Sequence, residues 1–366
     1  MKRKVCFYMA NLAKGGAQRV IVNMTQYLLG QDYDVTIVTT SEAKVEYPLP
    51  EGAKRVISDI SETETGKSRI SNFYKRCAKL RGIWKEEHPD VIISFIGKNN
   101  MMAILTSMFT KIPVLISVRA NPTMEYYNPL LRLISKTFFV LADGLILQTD
   151  QQKAYFPKMI QKKATILPNP LNEEFLKERK VVERKKQIIS VGRVDANKNH
   201  RMLVTVFDKL AEQYQDWQLL ILGDGEEKSQ LDDAIAQAKH KDRIYAPGNS
   251  DEVADRMAES RIFVLTSREE GMPNALMEAM ATGLAVVATD CPCGGPAMLI
   301  DEKENGMLFP VDDAVALEKA LHELLNDSEL EQKLGRNAYK IREELSLQKV
   351  GEAWESYISG FFRRRR

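Results

Sequence analysis

Short apolar runs rich in β-branched residues alternate with amphipathic stretches along the whole chain. Apolar runs of about four to eight residues are typical of strands, and a spacing of about 3.6 residues is typical of helices. Their regular alternation predicts βαβ units and parallel sheets, and therefore an α/β fold. The predicted strands are residues 5–9, 35–40, 55–58, 91–95, 114–118, 144–149 and 165–167, then 187–191, 218–222, 243–246, 262–266, 285–289 and 307–309.

A break in this alternation divides the chain. The segment Pro168-Asn169-Pro170 is followed by a charged stretch, residues 172–186, and we place a domain boundary there. Each half opens with a strand, a loop containing glycine and arginine, and an amphipathic helix, predicted over residues 17–29 and 199–214. Two doubly wound, Rossmann-like domains with a crevice between them are therefore predicted, with ligands beyond the carboxyl ends of the strands.

Composition narrows the class of protein. The chain has 366 residues, 44% of them hydrophobic, and no apolar run approaches the roughly 18 residues that a membrane span needs. The start, Met1-Lys2-Arg3-Lys4, precedes too short an apolar stretch for a signal peptide, so we predict a cytoplasmic protein.

The net charge of +2 conceals an uneven distribution. Residues 1–170 hold 24 Lys and Arg against 14 Asp and Glu, whereas residues 171–366 hold 28 against 36. A basic half indicates an anionic partner, and at this stage nucleic acid, an anionic membrane surface and a phosphorylated substrate all remain open.

Cysteines and histidines offer no recognisable metal site. Cys6, Cys77, Cys291 and Cys293 are irregularly spaced, which favours reduced thiols over a disulfide framework or a zinc ribbon. The histidines are scattered singly, so we predict no bound metal.

The strongest candidate chemistry follows the apolar strand 262–266. Pro273 suits a first helical turn and Gly283 a helix end, which predicts a helix over residues 273–281 whose amino terminus can hold an anion. Glu270 lies in the preceding loop, and Glu278 lies within the apolar helix. A buried carboxylate needs hydrogen bonds, and a ribose diol would supply two.

Glu270 and Glu278, in the form E-G-x-P-x-x-x-x-E, resemble the E-x7-E signature of family 4 glycosyltransferases of the GT-B fold. Further segments resemble that family in order and spacing. They are Gly15-Gly16-Ala17-Gln18-Arg19, Gly192-Arg193 through Lys198-Asn199, Gly223-Asp224-Gly225, residues 290–296, and residues 306–310 with Asp312.

The resemblance implies an acceptor-binding domain over residues 1–170, a donor-binding domain over 171–345, and a final helix over 346–366 that returns to the first domain. It implies a retaining, metal-independent glycosyltransferase without a cofactor, whose donor is a nucleotide sugar, UDP-linked by our prediction. The implied catalytic residues are Arg193, Lys198 and Glu270. The implied donor-binding residues are Glu278 at the ribose, Gly16, Gly192, Gly271, Met272, Pro273, Asn274, Ala275, Gly223 and Arg119.

Arg119 occupies a position where many relatives have a histidine; here the segment reads Ser117-Val118-Arg119-Ala120-Asn121-Pro122. Two roles stay open for it, contact with donor or acceptor and a salt bridge at the rim of the crevice.

The remaining partners are predicted from charge. A basic amphipathic helix is predicted over residues 67–85, from Lys67 to Lys85, and the chain ends with Arg363, Arg364, Arg365 and Arg366. Both indicate contact with an anionic membrane surface, with a solvated helix face as the alternative. Neither belongs to a nucleic-acid recognition motif, so nucleic acid is not predicted.

The predicted function is transfer of a hexose or N-acetylhexosamine to a glycan or polyprenyl-diphosphate-linked acceptor in bacterial surface polysaccharide biosynthesis, by an enzyme on the inner face of the plasma membrane. The alternatives are a catalytically silent nucleotide-sugar-binding protein and a Rossmann-type oxidoreductase. The intact glutamates and cations disfavour the first. The second is disfavoured because Gly223-Asp224-Gly225 lacks the last glycine of G-x-G-x-x-G.

Overall fold

A computed structural model describes residues 2–60, 65, 68–179 and 183–362. The chain divides into two compact units: the first runs to Pro170 and resumes at Leu347, and the second runs from Leu171 to Ser346. Lys67 and the four terminal arginines lie outside the described residues.

The first unit is built on a parallel sheet in the order β3-β2-β1-β4-β5-β6-β7. Its strands are β1 (Lys4–Met9), β2 (Asp34–Thr39), β3 (Lys54–Ile57), β4 (Val91–Phe95), β5 (Val114–Ser117), β6 (Gly144–Leu147) and β7 (Ala164–Ile166). Its helices are α1 (Gly16–Gly30), α2 (Arg69–Glu87), α3 (Gly97–Ser107), α4 (Pro122–Glu125), α5 (Pro129–Thr137), α6 (Asp150–Tyr155) and α7 (Lys158–Gln161), with a 3-10 turn at Phe138–Leu141.

The second unit is built on a parallel sheet in the order β10-β9-β8-β11-β12-β13. Its strands are β8 (Gln187–Val191), β9 (Gln218–Leu222), β10 (Ile244–Gly248), β11 (Ile262–Leu265), β12 (Ala285–Asp290) and β13 (Met307–Pro310). Its helices are α8 (His200–Leu210), α9 (Lys228–Gln237), α10 (Val253–Glu259), α11 (Asn274–Ala281), α12 (Gly295–Leu299), α13 (Ala314–Asn326), α14 (Ser328–Ala338) and α15 (Ile341–Glu344), with 3-10 turns at Glu173–Leu176 and Lys241–Arg243.

The predicted α/β class with two doubly wound parallel sheets is confirmed. The predicted strands all form. Central strands such as β4, where every residue is buried, are covered by helices on both faces, whereas the edge strand β3 has no fully buried residue. In each sheet the strand order reverses beside the first strand of the unit, between β1 and β4 and between β8 and β11. These are the places where doubly wound sheets bind ligands.

The last helix, α16 (Leu347–Ser359), packs on the first unit, as predicted. Tyr27 and Tyr33 donate hydrogen bonds to Glu355 at 3.1 and 2.9 Å, and the indole of Trp354 is stacked on Phe95 with ring centroids 6.1 Å apart. Trp354 is 1% exposed, so the helix completes the core of the first unit rather than lying on its surface. Among the described residues, no helix combines the length and apolar character needed to cross a membrane.

Candidate functional site

Two loops at the carboxyl edge of the second sheet carry most of the predicted site residues. One follows β8 and the other follows β11, and these strands are neighbours in a parallel sheet. Hydrogen bonds join the loops: Thr266 Oγ1 donates to the Lys198 carbonyl at 2.6 Å, and the Asn197 amide exchanges hydrogen bonds of 3.0 and 3.1 Å with the Glu269 backbone. These hydrogen bonds fix the two loops relative to each other.

An ion pair lies where these loops meet. Lys198 Nζ is 2.5 Å from Glu270 Oε1, and the two side chains are only 17% and 14% exposed. The Lys198 amide also donates to Asp195 Oδ1 at 3.0 Å. Reduced solvent access strengthens such a charge-assisted hydrogen bond. The structure therefore brings together two of the three predicted catalytic residues, which are 72 positions apart in the sequence.

Arg193, the third predicted catalytic residue, presents its guanidinium to solvent. Its Nε donates to Asp195 Oδ2 at 2.5 Å, while the side chain remains 76% exposed. Asp195 is buried and accepts hydrogen bonds from both the Arg193 side chain and the Lys198 backbone. It therefore fixes the conformation of the loop that carries these two cations. Sequence reasoning missed this role; the only available signal was an acid two residues after the arginine.

Helix α11 supplies the second predicted glutamate. It begins at Asn274, with Pro273 as its amino-terminal cap, one residue later than predicted. Glu278 is 6% exposed in the interior of this helix. The preceding loop is fixed by backbone hydrogen bonds of 2.6 Å from Glu270 to Pro292 and 3.0 Å from Cys293 to Glu270. Like the start of any α-helix, the amino terminus of α11 carries a partial positive charge, which favours the binding of an anion.

A third group braces the same loops. Asp312, which follows β13, accepts hydrogen bonds from Arg268 Nε at 2.9 and 3.0 Å and from Asn199 Nδ2 at 2.8 Å. Arg268 also donates to the Ala196 carbonyl at 2.7 Å. Arg268 was not predicted as a site residue, because an arginine next to the E-x7-E segment has no local signal for a partner 44 residues away.

Two family models match the chain almost end to end. The model described as Glycosyltransferase Family 4 matches residues 14–175, and the model described as Glycosyl transferases group 1 matches residues 172–341. The chain is a family 4-like glycosyltransferase of the GT-B fold. The predicted family is thus confirmed, and with it a glycosyltransferase enzyme.

Three individual proteins illustrate this similarity. An uncharacterized glycosyltransferase of Haemophilus influenzae is 27% identical over 97% of this chain and 100% of its own length. The Campylobacter jejuni GalNAc-α-(1→4)-GalNAc-α-(1→3)-diNAcBac-PP-undecaprenol α-1,4-N-acetyl-D-galactosaminyltransferase is 25% identical over 97% and 98%. The crystal structure of Anabaena Alr3699/HepE in complex with UDP superposes with a TM-score of 0.84 over 98% and 100%, at 15% identity, which supports the GT-B fold.

Two predicted donor-binding residues of this glycosyltransferase, Gly16 and Arg119, lie in its first unit. Gly16 is the first residue of α1. Arg119 follows β5, donating hydrogen bonds to Ser117 Oγ at 2.8 Å and to Leu167 O and Asn169 Oδ1 at 3.2 Å. We find no ion pair between Arg119 and any described residue. For Gly16 and Arg119, contact with donor or acceptor stays a prediction.

The guanidinium of Arg119 also lies over two aromatic rings, 5.4 Å from the centroid of Phe95 and 5.1 Å from that of Trp354. Burial lowers the pKa of Arg119 to about 9, which leaves it charged at neutral pH. This cation–π contact ties the end of β4 to the C-terminal helix of the glycosyltransferase.

The cysteines of the loop after β12 are unsuited to nucleophilic catalysis. Cys291 and Cys293 are free and buried, and burial raises the pKa of each thiol to about 12. His200, at the start of α8, is also buried, and burial lowers its pKa to about 4. At neutral pH these thiols are protonated and this imidazole is neutral.

Glycines at the site allow backbone segments to touch. An ideal Cβ on Gly223 would lie 1.9 Å from the Gly192 carbonyl oxygen, and one on Gly295 would lie 1.7 Å from that of Gly271. Gly223 also has a φ of +143°, a conformation that favours glycine. Gly223 and Gly295, both in the family-like segments, therefore set the distances between loops as well as their shapes.

Gly223→Ala should destabilise the second unit by about 2 kcal/mol or more, because the new methyl group meets backbone that cannot rotate away. Gly82→Ala in α2 is a matched control: its Cβ meets nothing within 4 Å, so it should be neutral or stabilise by about 0.5–1 kcal/mol. Urea denaturation midpoints check both. Equal midpoints for wild type and Gly223→Ala would contradict the tight contact.

Proposed function

We propose that this glycosyltransferase transfers a hexose or N-acetylhexosamine from a UDP-linked donor to a glycan or polyprenyl-diphosphate-linked acceptor in bacterial surface polysaccharide biosynthesis. The observation that carries the proposal is the Lys198–Glu270 ion pair, with Arg193 held nearby by Asp195 at the same sheet edge. The two cations suit the diphosphate of a nucleotide sugar, and the nearby carboxylate suits the hydroxyls of its sugar.

The donor assignment is supported by what these groups bind. Arg193 has an exposed, planar guanidinium group and Lys198 a compact ammonium group, and both can bind diphosphate oxygens. Glu270 would then accept hydrogen bonds from the sugar hydroxyls, and Glu278 from the ribose. Support for UDP comes from the similarity to Anabaena Alr3699/HepE, whose structure is a complex with UDP.

The acceptor assignment is supported by the relatives. The Campylobacter jejuni relative is named for an undecaprenol-diphosphate-linked glycan acceptor, and the similarity spans nearly the whole length of both chains. We therefore propose an acceptor of the same chemical class, a growing glycan on a polyprenyl diphosphate.

We further propose that transfer retains the anomeric configuration and needs no metal ion. Negative charge develops on the leaving diphosphate, and preorganised cations stabilise it at that position. Arg193, Lys198 and the amino terminus of α11 supply this stabilisation, while a donor phosphate oxygen takes the proton of the acceptor hydroxyl. No enzymic nucleophile is then required.

The test is release of UDP or GDP from UDP-Gal, UDP-GalNAc, UDP-Glc, UDP-GlcNAc and GDP-Man in the presence of glycoside acceptors. We expect UDP release from one of the UDP-linked donors, unchanged by EDTA, and a product with the donor's anomeric configuration by proton NMR. Nucleotide binding without turnover of any donor would favour the catalytically silent alternative. An inverted product or inhibition by EDTA would contradict the proposed mechanism.

The exposed side chains of α2 support a role at a membrane. Ile70 and Tyr74 are 71% and 68% exposed, and Arg69, Lys75 and Lys85 are exposed on the same helix. Exposed apolar side chains among cations are typical of helices that lie on anionic lipid. We propose that the enzyme contacts the inner face of the plasma membrane through this helix.

Lys75→Glu/Lys85→Glu should weaken sedimentation with phosphatidylglycerol vesicles at low salt by about tenfold or more, because each cation near an anionic surface contributes about 1 kcal/mol. High salt should remove the difference. Lys241→Glu, an exposed site in the second unit, is the matched control and should bind like wild type. Wild type that stays in the supernatant at low salt would overturn the membrane proposal.

A further inference from the structure

A cavity of about 450 Å³ lies within the first unit, beyond the carboxyl ends of β1 and β4. Its lining includes Ala10, which follows β1, Gly97 at the start of α3, and Glu125 at the end of α4. The strand order of the first sheet reverses between β1 and β4. The cavity therefore occupies the place where a doubly wound sheet binds its ligand.

Glu125 is one of the residues that line this cavity. Its Oε1 accepts hydrogen bonds from the Gly97 backbone amide and from the Tyr126 hydroxyl, the latter at 3.4 Å. Its Oε2 is buried and has no hydrogen-bond partner among the described residues. An unsatisfied buried carboxylate oxygen is costly, so the position favours a ligand that donates a hydrogen bond.

The surroundings of Glu125 strengthen that preference. Burial raises the pKa of the Glu125 carboxyl, while the hydrogen bonds from Gly97 and Tyr126 oppose the rise. Met101, Tyr126 and Leu131 line the same cavity and provide largely apolar contact area. A hydrogen bond formed in such an environment is stronger than one formed in water.

The cavity is extended by a neighbour of about 410 Å³, and the two share Lys98, Asn99 and Met101. The neighbouring cavity is lined in part by Tyr8 and Phe73. Aromatic surfaces with a few polar groups are typical of sites that bind small organic ligands. The pair of cavities has room for a ligand larger than a single sugar.

We propose that Glu125 recognises the acceptor: its Oε2 accepts a hydrogen bond from a hydroxyl or acetamido N–H of the acceptor's terminal sugar, bound in the cavity beyond β1 and β4. This inference rests on the proposed function and adds the acceptor contact to it. No covalent step involves Glu125, whose contribution is to binding. The competing view is that Glu125 only caps α3 through Gly97.

Glu125→Gln separates these roles. Glutamine keeps a carbonyl oxygen for the Gly97 amide and nearly the same volume, but it replaces Oε2 by an N–H donor. Glu51→Gln, an exposed site of the same unit, is the matched control for loss of one charge. The probes are the p-nitrophenyl α-glycosides of GalNAc, Gal, GlcNAc and Glc, offered with the most active UDP-sugar.

We expect Glu125→Gln to raise the acceptor KM by about 10- to 100-fold, since the lost hydrogen bond is to a charged group. The donor KM, UDP release without acceptor and the melting temperature should match those of wild type and Glu51→Gln. An unchanged acceptor KM would overturn the inference. So would a loss of melting temperature with parallel changes in both KM values, which would show a structural cap.

Ligand-observed NMR of the same glycosides, recorded without donor, distinguishes this inference from the proposed function. Binding by wild type that is lost in Glu125→Gln supports the sugar contact even if no donor is turned over, and in that case only the proposed transfer fails. Equal spectra for wild type and Glu125→Gln would overturn the contact even if transfer occurs.

Discussion

Lys198→Ala should lower kcat by about 10²- to 10³-fold, because a preorganised charge at the leaving group stabilises the transition state more than the ground state. Lys198 is 17% exposed and bonded to Glu270, so its ammonium group is already positioned. The alanine variant also leaves Glu270 without this partner, which should disturb binding of the donor sugar. Steady-state UDP release with saturating donor measures the effect.

Lys209→Ala is the matched control for Lys198→Ala. Lys209 lies on α8 in the same unit and pairs with Glu318 at 3.3 Å, but its side chain is 58% exposed. Its removal should leave kcat unchanged, because surface ion pairs contribute little. Lys198→Arg should restore only part of the rate, since the broad, planar guanidinium group of arginine does not replace the compact ammonium group of lysine. A Lys198→Ala enzyme within fivefold of the wild-type rate would contradict the assigned role.

Glu278→Ala should weaken UDP binding by about 10²-fold or more. A buried carboxylate that accepts two ribose hydroxyls makes two hydrogen bonds to a charged group, each worth about 1.5–3 kcal/mol. Glu278 is 6% exposed within α11, so water replaces the ribose poorly at this position. Isothermal titration with UDP measures the loss, and the melting temperature without UDP reports whether the variant folds.

Two further variants make the Glu278 experiment specific. Glu278→Gln keeps one acceptor oxygen and should bind UDP with intermediate affinity. Glu329→Ala removes an exposed acid from α14 and should bind like wild type. A folded Glu278→Ala protein with wild-type affinity for UDP would place the ribose elsewhere.

The strands and the loops after β8 and β11 could be predicted from the sequence for a local reason. Buried parallel strands need continuous apolar, β-branched runs, and each run in this chain is bounded by polar or glycine-containing segments. Glu270 and Glu278 could be identified because their spacing lies within one loop and one helix. The start of α11 was one residue early in the prediction, because Pro273 suits both the cap and the first turn.

Contacts between distant segments could not be read in this way. Asp195 holds Arg193 and the Lys198 backbone, and Arg268 reaches Asp312 across 44 residues. Nothing in the local pattern around Glu125 marks it, because its role depends on Gly97, 28 residues earlier in the chain. Such pairs are set by the packing of loops at one sheet edge, and the local pattern of residues does not reveal which loops meet.

The sequence by itself determined the α/β class, the strand positions, the family and the residues from Arg193 to Glu278 that carry the proposed chemistry. Only the tertiary structure decided that Lys198 faces Glu270, that Arg119 lies over Phe95 and Trp354, and that a buried Glu125 oxygen has no hydrogen-bond partner among the described residues. The physical reason is range: strand and helix formation depends on neighbours a few residues apart, whereas charge pairing and burial depend on atoms that folding brings together.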